Sequence, residues 1–581
     1  MLKDIIPIFE KIYKEYGDKL IIDSYTPVDG TYVIIEPSDN TFKIKECVDI
    51  KYNKKNKELS GKSNMYYFDI CSMDYNSKII DMNKPIDKSK IIHSNNFYSF
   101  FIKKDSLTSN KLNNKIIDEY YEILKNPYKK YSSGKAKTLY EAVEKEMGKP
   151  NIERVEKIQE WIKENIFNLN IDISGKDYLK IFFDYPIEEY LKENKRYLIP
   201  NIYNKNDFNI NVGDKIYGLP NDNMGLNAKK PYLENKTRKS TVSYLIDNRE
   251  VLIQRKFFEY LMNMASVGKV NIYIDDKITA LPNGESIDRD FQGVFIRLQK
   301  GKEVEIHDYD VITKYRYTLR KPFKYKNILD LDLNSKNIQS DIYDNYYNLK
   351  EIQNLINDVV FRKLLKSNFF AEAKDIKINE SYLKGNLLQT RDIIFNWIYK
   401  GEESGIYAVL DKAIFNILKG TLLDGGIIRA CHQFNLRWSF KEYYKGEDNM
   451  ADKIIALKKN LRLKINNEVT GKFDSDDEYY FGVGQIVSYL LSKNKGKKKP
   501  HSLANPFINA KDNKVIKEKL RNFYKKYNYD IDMNGRRFKN LYAMILGYEA
   551  DTKVNQDMII AGYLNNNLIY ESDKKEEEIN G

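Results

Sequence analysis

"NILDLDLNSKNIQSD", residues 327–341, divides the chain into two halves of different character. Its Asn, Asp and Ser residues follow no helical or strand period, so it reads as a join. Before it, strand and helix patterns are mixed. "TYVIIE" (31–36) and "FKIKECVDIKY" (42–52) read as strands around the turn "PSDN" (37–40). "KVNIYID" (269–275), "GVFIRLQ" (293–299) and "KEVEIHDYDVI" (302–312) read the same way. Helical spacing appears at 1–16, with Ile5, Ile6, Ile8, Phe9 and Ile12 on one stripe, and at 151–167 and 248–266. After about residue 345 strand signals fade. Helix-length segments follow at 347–366, 386–399, 403–419, 426–443, 451–466, 477–493, 513–527, 536–547 and 553–566. The expected fold class is α+β: a mixed α/β N-terminal domain (1–345), an all-α C-terminal helical bundle (346–570) and an acidic tail (571–581). No repeat of fixed period is present.

The chain has 581 residues, 42% of them hydrophobic, enough to build real cores. The opening "MLKDIIPIFEKIYKEYG" carries charges throughout and does not read as a secretion signal. No apolar run approaches the ~20 residues needed to cross a bilayer. Cys47, Cys71 and Cys431 lie far apart with no CxxC, which fits a reducing cytoplasm and argues against a Cys-based zinc site. Net charge is +13, with a pI of about 9.0. A basic balance points to an anionic partner, most often nucleic acid. The competing explanation is an AT-rich genome, which raises Lys, Asn, Ile and Tyr together.

Enzyme motifs fail one by one. "SSGKAKT" (132–138) resembles a P-loop fragment, but Lys129 stands where the leading Gly belongs and Ala136 where Ser or Thr belongs. "DIDMNGRRF" begins like a calcium loop with Asp530, Asp532, Asn534 and Gly535, yet Leu541 replaces the bidentate acid and Arg536 repels a cation. It reads as a turn before a helix. His93, His307, His432 and His501 are isolated. "HDYD" at 307 invites a metal-nuclease reading, which needs several His and Asp ligands. "DSDDE" (474–478) reads as a helix N-cap, where carboxylates are favoured. No cofactor or metal is expected.

What remains is binding chemistry. "YGLPNDNMGLNAKKPYLENKTRK" (217–239) is a long polar loop in mid-chain. Asn221, Asn223, Asn227 and Asn235 can donate and accept at once, as adenine readers do. Lys229, Lys230, Lys236, Arg238 and Lys239 can hold phosphates. The alternative is an ordinary solvated loop. A second basic region, 493–526, holds twelve Lys or Arg against Asp512 and Glu518. Lys493, Lys495, Lys497, Lys498 and Lys499 lead it, and Arg536 and Arg537 follow on a later helix. Such density attracts a phosphate backbone in a salt-dependent way. Phe507, Phe523, Tyr524 and Tyr527 read as packing, as does "CHQFNLRWSFKEYY" (431–444) at helical spacing.

The chain also carries longer phrases: the opening seventeen residues, "NSKIIDMNKPIDKSKIIHSNNFYSFF" (76–101), "SGKDYLKIFFDYP" (174–186), "GLPNDNMGLNAKKPYLENKTRK", "HQFNLRWS" (432–439), "KKKPHSLANPFINA" (497–510) and "LYAMILGY" (541–548). Together they resemble the large subunit of the type I-B CRISPR interference complex, Cascade. The resemblance runs from residue 1 to about 570. It implies a non-enzymatic, cytoplasmic subunit with an α/β N-terminal domain and a helical C-terminal bundle. Its implied partners are guide RNA, target double-stranded DNA, and the backbone, handle-binding and small subunits. A helicase-nuclease would be recruited after R-loop formation. The resemblance implies recognition of a protospacer-adjacent motif but assigns that role to no residue here.

"KGEDNMADK" (445–453) permits a further expectation. Lys445-Gly446-Glu447 is compatible with a ribosome-binding sequence, and Met450 would start a product of 132 residues. The alternative is a chance turn before a helix.

Overall fold

Residues Tyr32 to Ile35 are apolar on both faces, which suits a strand covered on both sides. In the computed structural model all four are buried, and β1 (Gly30–Ser38) lies inside a sheet. The structure describes residues 2–39, 41–53, 58–204, 206–213, 215–220, 245–300, 304–446, 449–496, 500–532 and 535–571. The chain forms two units: 1–282 with 294–309, and 283–293 with 310–581.

In the first unit β1 pairs antiparallel with β2 (Thr41–Ile50), which leads through Tyr52–Asn53 (β3) to Glu58–Leu59 (β4). The sheet order is β2-β1-β6-β5, where β5 is Ser99–Lys103 and β6 is Tyr178–Phe183. β6 runs parallel to β1 and antiparallel to β5. The helices of this unit are α1 (Leu2–Tyr16), α2 (Lys19–Ile22), α3 (Tyr67–Ser77), α4 (Lys104–Thr108), α5 (Asn114–Lys125), α6 (Gly134–Met147), α7 (Ile152–Asn165), α8 (Ile187–Asn201) and α9 (Asn248–Ser266). α1 buries Ile5, Ile6, Phe9 and Ile12, the expected stripe. Small strands β7 (Ile210–Val212), β8 (Lys215–Gly218) and β9 (Ile246–Asp247) make a three-stranded sheet. A second four-stranded sheet has order β11-β10-β12-β13, from β10 (Lys269–Ile274), β11 (Ile278–Pro282), β12 (Phe291–Lys300) and β13 (Val304–Tyr315).

The second unit holds a strand pair, β14 (Thr318–Lys324) and β15 (Asn345–Asn348), and a helical bundle. Its helices are α10 (Leu349–Leu355), α11 (Leu365–Asn368), α12 (Ser381–Phe395), α13 (Ile406–Leu423), α14 (Ile427–Lys445), α15 (Met450–Asn466), α16 (Asp476–Ser492), α17 (Asn505–Ile508), α18 (Asn513–Tyr527), α19 (Arg536–Gly547) and α20 (Gln556–Leu564). α10 and α12 each continue into a π-turn, Ile356–Val360 and Asn396–Lys400. The α+β class is therefore present. α16 is buried almost all round, from Glu478 to Val487, as a central helix must be. It crosses α20 at two glycines. A Cβ at Gly484 would fall 2.1 Å from the Ile559 carbonyl oxygen, and one at Gly562 would fall 2.0 Å from that of Phe481. Only glycine permits this approach.

The expected join, 327–341, lies within the second unit rather than between units. The cause is α14. Asn435 Oδ1 accepts from the Leu329 amide at 3.0 Å, Ser439 Oγ from the Lys326 amide at 3.0 Å, and the Tyr325 hydroxyl donates to the His432 carbonyl at 2.7 Å. Ile328 and Leu329 enter the bundle's core. "HQFNLRWS" is thus core, as expected, but its polar members hold the preceding loop. Arg437 of the same phrase meets Asp411 at 2.8 Å and also Asp557. The "DSDDE" expectation holds as well: Ser475 accepts from the Glu478 amide, with three acids in the first turn.

Candidate nucleic-acid interface

The stem of the 217–239 loop is built on β8 and β9. Tyr217 pairs with Asp247 and Gly218 with Ile246. Tyr203 locks this stem: its hydroxyl lies 3.0 Å from the Ile216 carbonyl and 3.1 Å from that of Ile246. Gly218 packs flat on the Tyr203 ring, where a Cβ would meet ring carbon at 2.4 Å. Leu139, Val143, Ile199, Ile202 and Val251 form the small core beneath. Asn221, Asn223, Asn227, Lys229, Lys230, Asn235, Lys236, Arg238 and Lys239 themselves lie outside the described residues.

The second basic region divides. Lys493 ends α16, 4.8 Å from the Tyr489 ring centre and 5.2 Å from that of Tyr570. Burial pulls its ammonium down, but the Tyr570 and Tyr489 hydroxyls outweigh this and hold it above the usual value. Lys495 reaches the Tyr529 ring and pairs with Asp530 at 3.0 Å. Lys497, Lys498 and Lys499 lie outside the described residues. Arg536 donates to the Asn466 carbonyl at 3.2 Å. Arg537 is committed to Asn466 and the Glu571 carbonyl, while Arg462 holds the Glu571 carboxylate at 2.6 Å. The structure thus brings Lys493 beside Tyr570 and Arg537 beside Glu571. Arg537 fastens the end of the described chain rather than presenting a free charge.

Phe507 packs on Phe523, and Tyr524 stacks on Phe538, so the interleaved aromatics serve packing. The exposed rings are Tyr529 and Tyr570, which the sequence reading passed over. Within the 493–526 region the structure places Lys514, Arg521 and Lys525 as an exposed stripe on α18, at helical spacing opposite buried Ile516 and Leu520. None of the three has an ion pair among the described residues.

The strongest missed feature is the turn where the end of β13 leads into β14, strands that lie in different sheets. Residues 311–329 contain six Lys or Arg and no acid. Lys314, Arg316 and Arg320 are exposed, while Ile312, Tyr315 and Phe323 are buried. The Tyr315 hydroxyl fixes the turn, lying 3.1 Å from the Ile398 carbonyl and 3.3 Å from that of Ile287. The Tyr317 carbonyl accepts from the Leu349 amide at 3.0 Å. A cleft of about 410 Å³ lies along this segment, lined by Lys314, Arg316, Thr318, Arg320 and Trp397. Arg320 meets Glu403 at 2.7 Å, whereas Lys314 and Arg316 have no ion pair among the described residues. Basic residues interleaved with tyrosines over one short span were the available signal.

The four histidines are separate. His93 lies between the Tyr178 hydroxyl and the Lys90 carbonyl, each at 3.0 Å. His432 lies 2.7 Å from the Tyr343 hydroxyl, and His501 2.7 Å from that of Tyr563. Burial lowers His93 and His432 below the usual imidazole range. His307 sits on β13, 3.7 Å from Glu305. No group of three His, Cys, Asp or Glu among the described residues could hold a metal ion. No helix of the described residues is long and apolar enough to cross a membrane. Met450 is the first residue of α15. No protein-family model, curated protein or solved structure matches the chain.

Proposed function

We propose that this chain is the non-catalytic large subunit of an RNA-guided type I-B CRISPR surveillance complex. It binds target double-stranded DNA beside a short adjacent motif, aids duplex opening and stabilises the R-loop. A separate helicase-nuclease then cuts. Guide RNA and the backbone, handle-binding and small subunits are its partners. The observation that supports nucleic-acid binding is the cleft at the β13–β14 turn, where Lys314 and Arg316 stand without carboxylate partners among the described residues. Unpaired cations along a groove suit a phosphate backbone, and base pairing with a guide leaves only a short motif for protein to read. The long phrases resembling the Cascade large subunit support the particular complex.

Purification from the native gene with its neighbours tests this. Discrete guide-length RNA and further subunits are expected in the eluate. The isolated chain is expected to bind DNA weakly and to leave it uncut. A lone protein that binds DNA tightly would replace this reading with a free-standing DNA-binding protein. Chelator-sensitive cleavage lost on replacing His307 or Asp308 would replace it with a nuclease. Met450 is proposed as an internal start, which intact mass of the same eluate would reveal as a fragment of 132 residues.

A further inference from the structure

A second cleft in the helical unit, of about 640 Å³, is lined by the 337–346 loop, α10 with its π-turn, and the start of α14. Two cations face it, Lys363 and Arg429. Neither has a hydrogen-bonded or ion-paired side-chain partner among the described residues. The backbone around Lys363 is unusual. Arg362 and Lys363 both adopt left-handed conformations, with φ of +53° and +66°. Such a conformation is unfavourable for a residue other than glycine, and strain of this kind gathers at functional sites. It directly follows a π-turn, another feature frequent at such sites.

Asn357 holds the strained turn. Its carbonyl accepts from the Lys363 amide at 2.7 Å, and its side-chain oxygen accepts from Leu365 at 3.1 Å. Arg362 turns away onto Glu380 and the Tyr382 hydroxyl, leaving Lys363 to the cleft. Burial and the charge of Arg362 both lower Arg429 from its ordinary value. The cleft is not uniformly basic. Glu351 and Asp358 also line it. Glu351 already caps α10 by accepting from Tyr347 and Asn348 amides, and Asp358 accepts from the Asn357 amide. A bare anion would use only the cations. A ligand with a phosphate, a hydroxylated sugar and a polar ring would use the cations, the carboxylates and the amides of Asn337, Gln339 and Asn354 together.

We infer that this cleft binds one nucleoside phosphate unit, with Lys363 and Arg429 on the phosphate. The unit can be a free nucleotide or one residue of a single strand. This does not rest on the preceding reading: a preparation without guide RNA would leave it intact.

The test uses the full chain. Calorimetric titration with AMP, CMP, inorganic phosphate and adenosine is followed by titration with a short single-stranded oligonucleotide. Binding of AMP or CMP that exceeds that of phosphate and adenosine assigns a free nucleotide. Binding of the oligonucleotide alone assigns a strand. In either case Lys363→Gln and Arg429→Gln should each weaken binding about ten- to a hundredfold, as loss of one charge-assisted contact does. Both variants should unfold at the wild-type temperature, because neither side chain holds the fold. Binding unchanged in the Lys363→Gln, Arg429→Gln double variant would overturn the assignment. So would failure of every nucleotide and oligonucleotide to bind.

Discussion

Glu259 of α9 illustrates how one buried carboxyl couples the first unit to pH. Arg255 meets it at 2.9 Å and Lys78 at 3.6 Å, and the Tyr75 hydroxyl donates to it. Burial pushes the carboxyl up, but Arg255, Lys78 and Lys256 pull harder, down to about 2 from the ordinary 4.5. A carboxyl depressed by folding contributes stability that is complete above its unfolded value and is lost as pH falls through the folded one. Urea unfolding should therefore show stability declining between pH ~4.5 and ~2. Glu259→Gln should flatten part of this decline and reduce stability at neutral pH by about 3 kcal/mol, since it strands buried cations. An acid limb as steep as in the wild type would refute that role. The buried amides tell a related story. Asn95 donates to the Lys78 carbonyl at 2.8 Å, and Asn96 to Asn95 Oδ1 at 2.9 Å. The amides of Asn95 and Asn96 are spent on the fold.

Among elements, the α16–α20 crossing and the β13–β14 turn carry separate predictions. Gly484→Ala sets a methyl against backbone, which cannot rotate away. It should destabilise the helical unit by about 1–3 kcal/mol, read as a lower urea midpoint. An unchanged midpoint would mean the helices separate without penalty. At the turn, Lys314→Gln with Arg316→Gln should weaken DNA binding for all sequences and reduce the salt slope by about 1.5–2. A constant salt slope would remove the turn from the interface. Replacing Lys497, Lys498 and Lys499 should act alike. Asn223→Ala or Asn227→Ala should change motif preference more than general affinity, if that loop reads bases. Equal losses on every motif would place the loop on backbone or guide RNA instead.

For the entire chain, the division between units determines how it can be cut. A product ending at residue 345 keeps the 325–343 loop but loses α14, onto which Tyr325, Lys326 and Leu329 are hydrogen-bonded. Limited proteolysis should trim such a product back to about residue 315 while the full chain resists there. Persistence of the intact 1–345 product would show that the loop holds without α14. Local elements were readable because their causes are local. α9, α18 and α19 follow from helical spacing at 248–266, 513–527 and 536–547, and α16 from its acidic cap. The change from mixed to helical character near 345 was visible for the same reason. β5 and β6 escaped because short apolar strands have no period that separates them from buried helix, and their pairing is set by partners far along the chain. The candidate sites follow the same division. Composition announced a basic, amide-rich protein with no recognised catalytic motif. Packing, which brings distant residues together irrespective of local pattern, decided that Arg537 would be spent on Glu571, that Lys314 and Arg316 would line one cleft, and that Lys363 and Arg429 would line another.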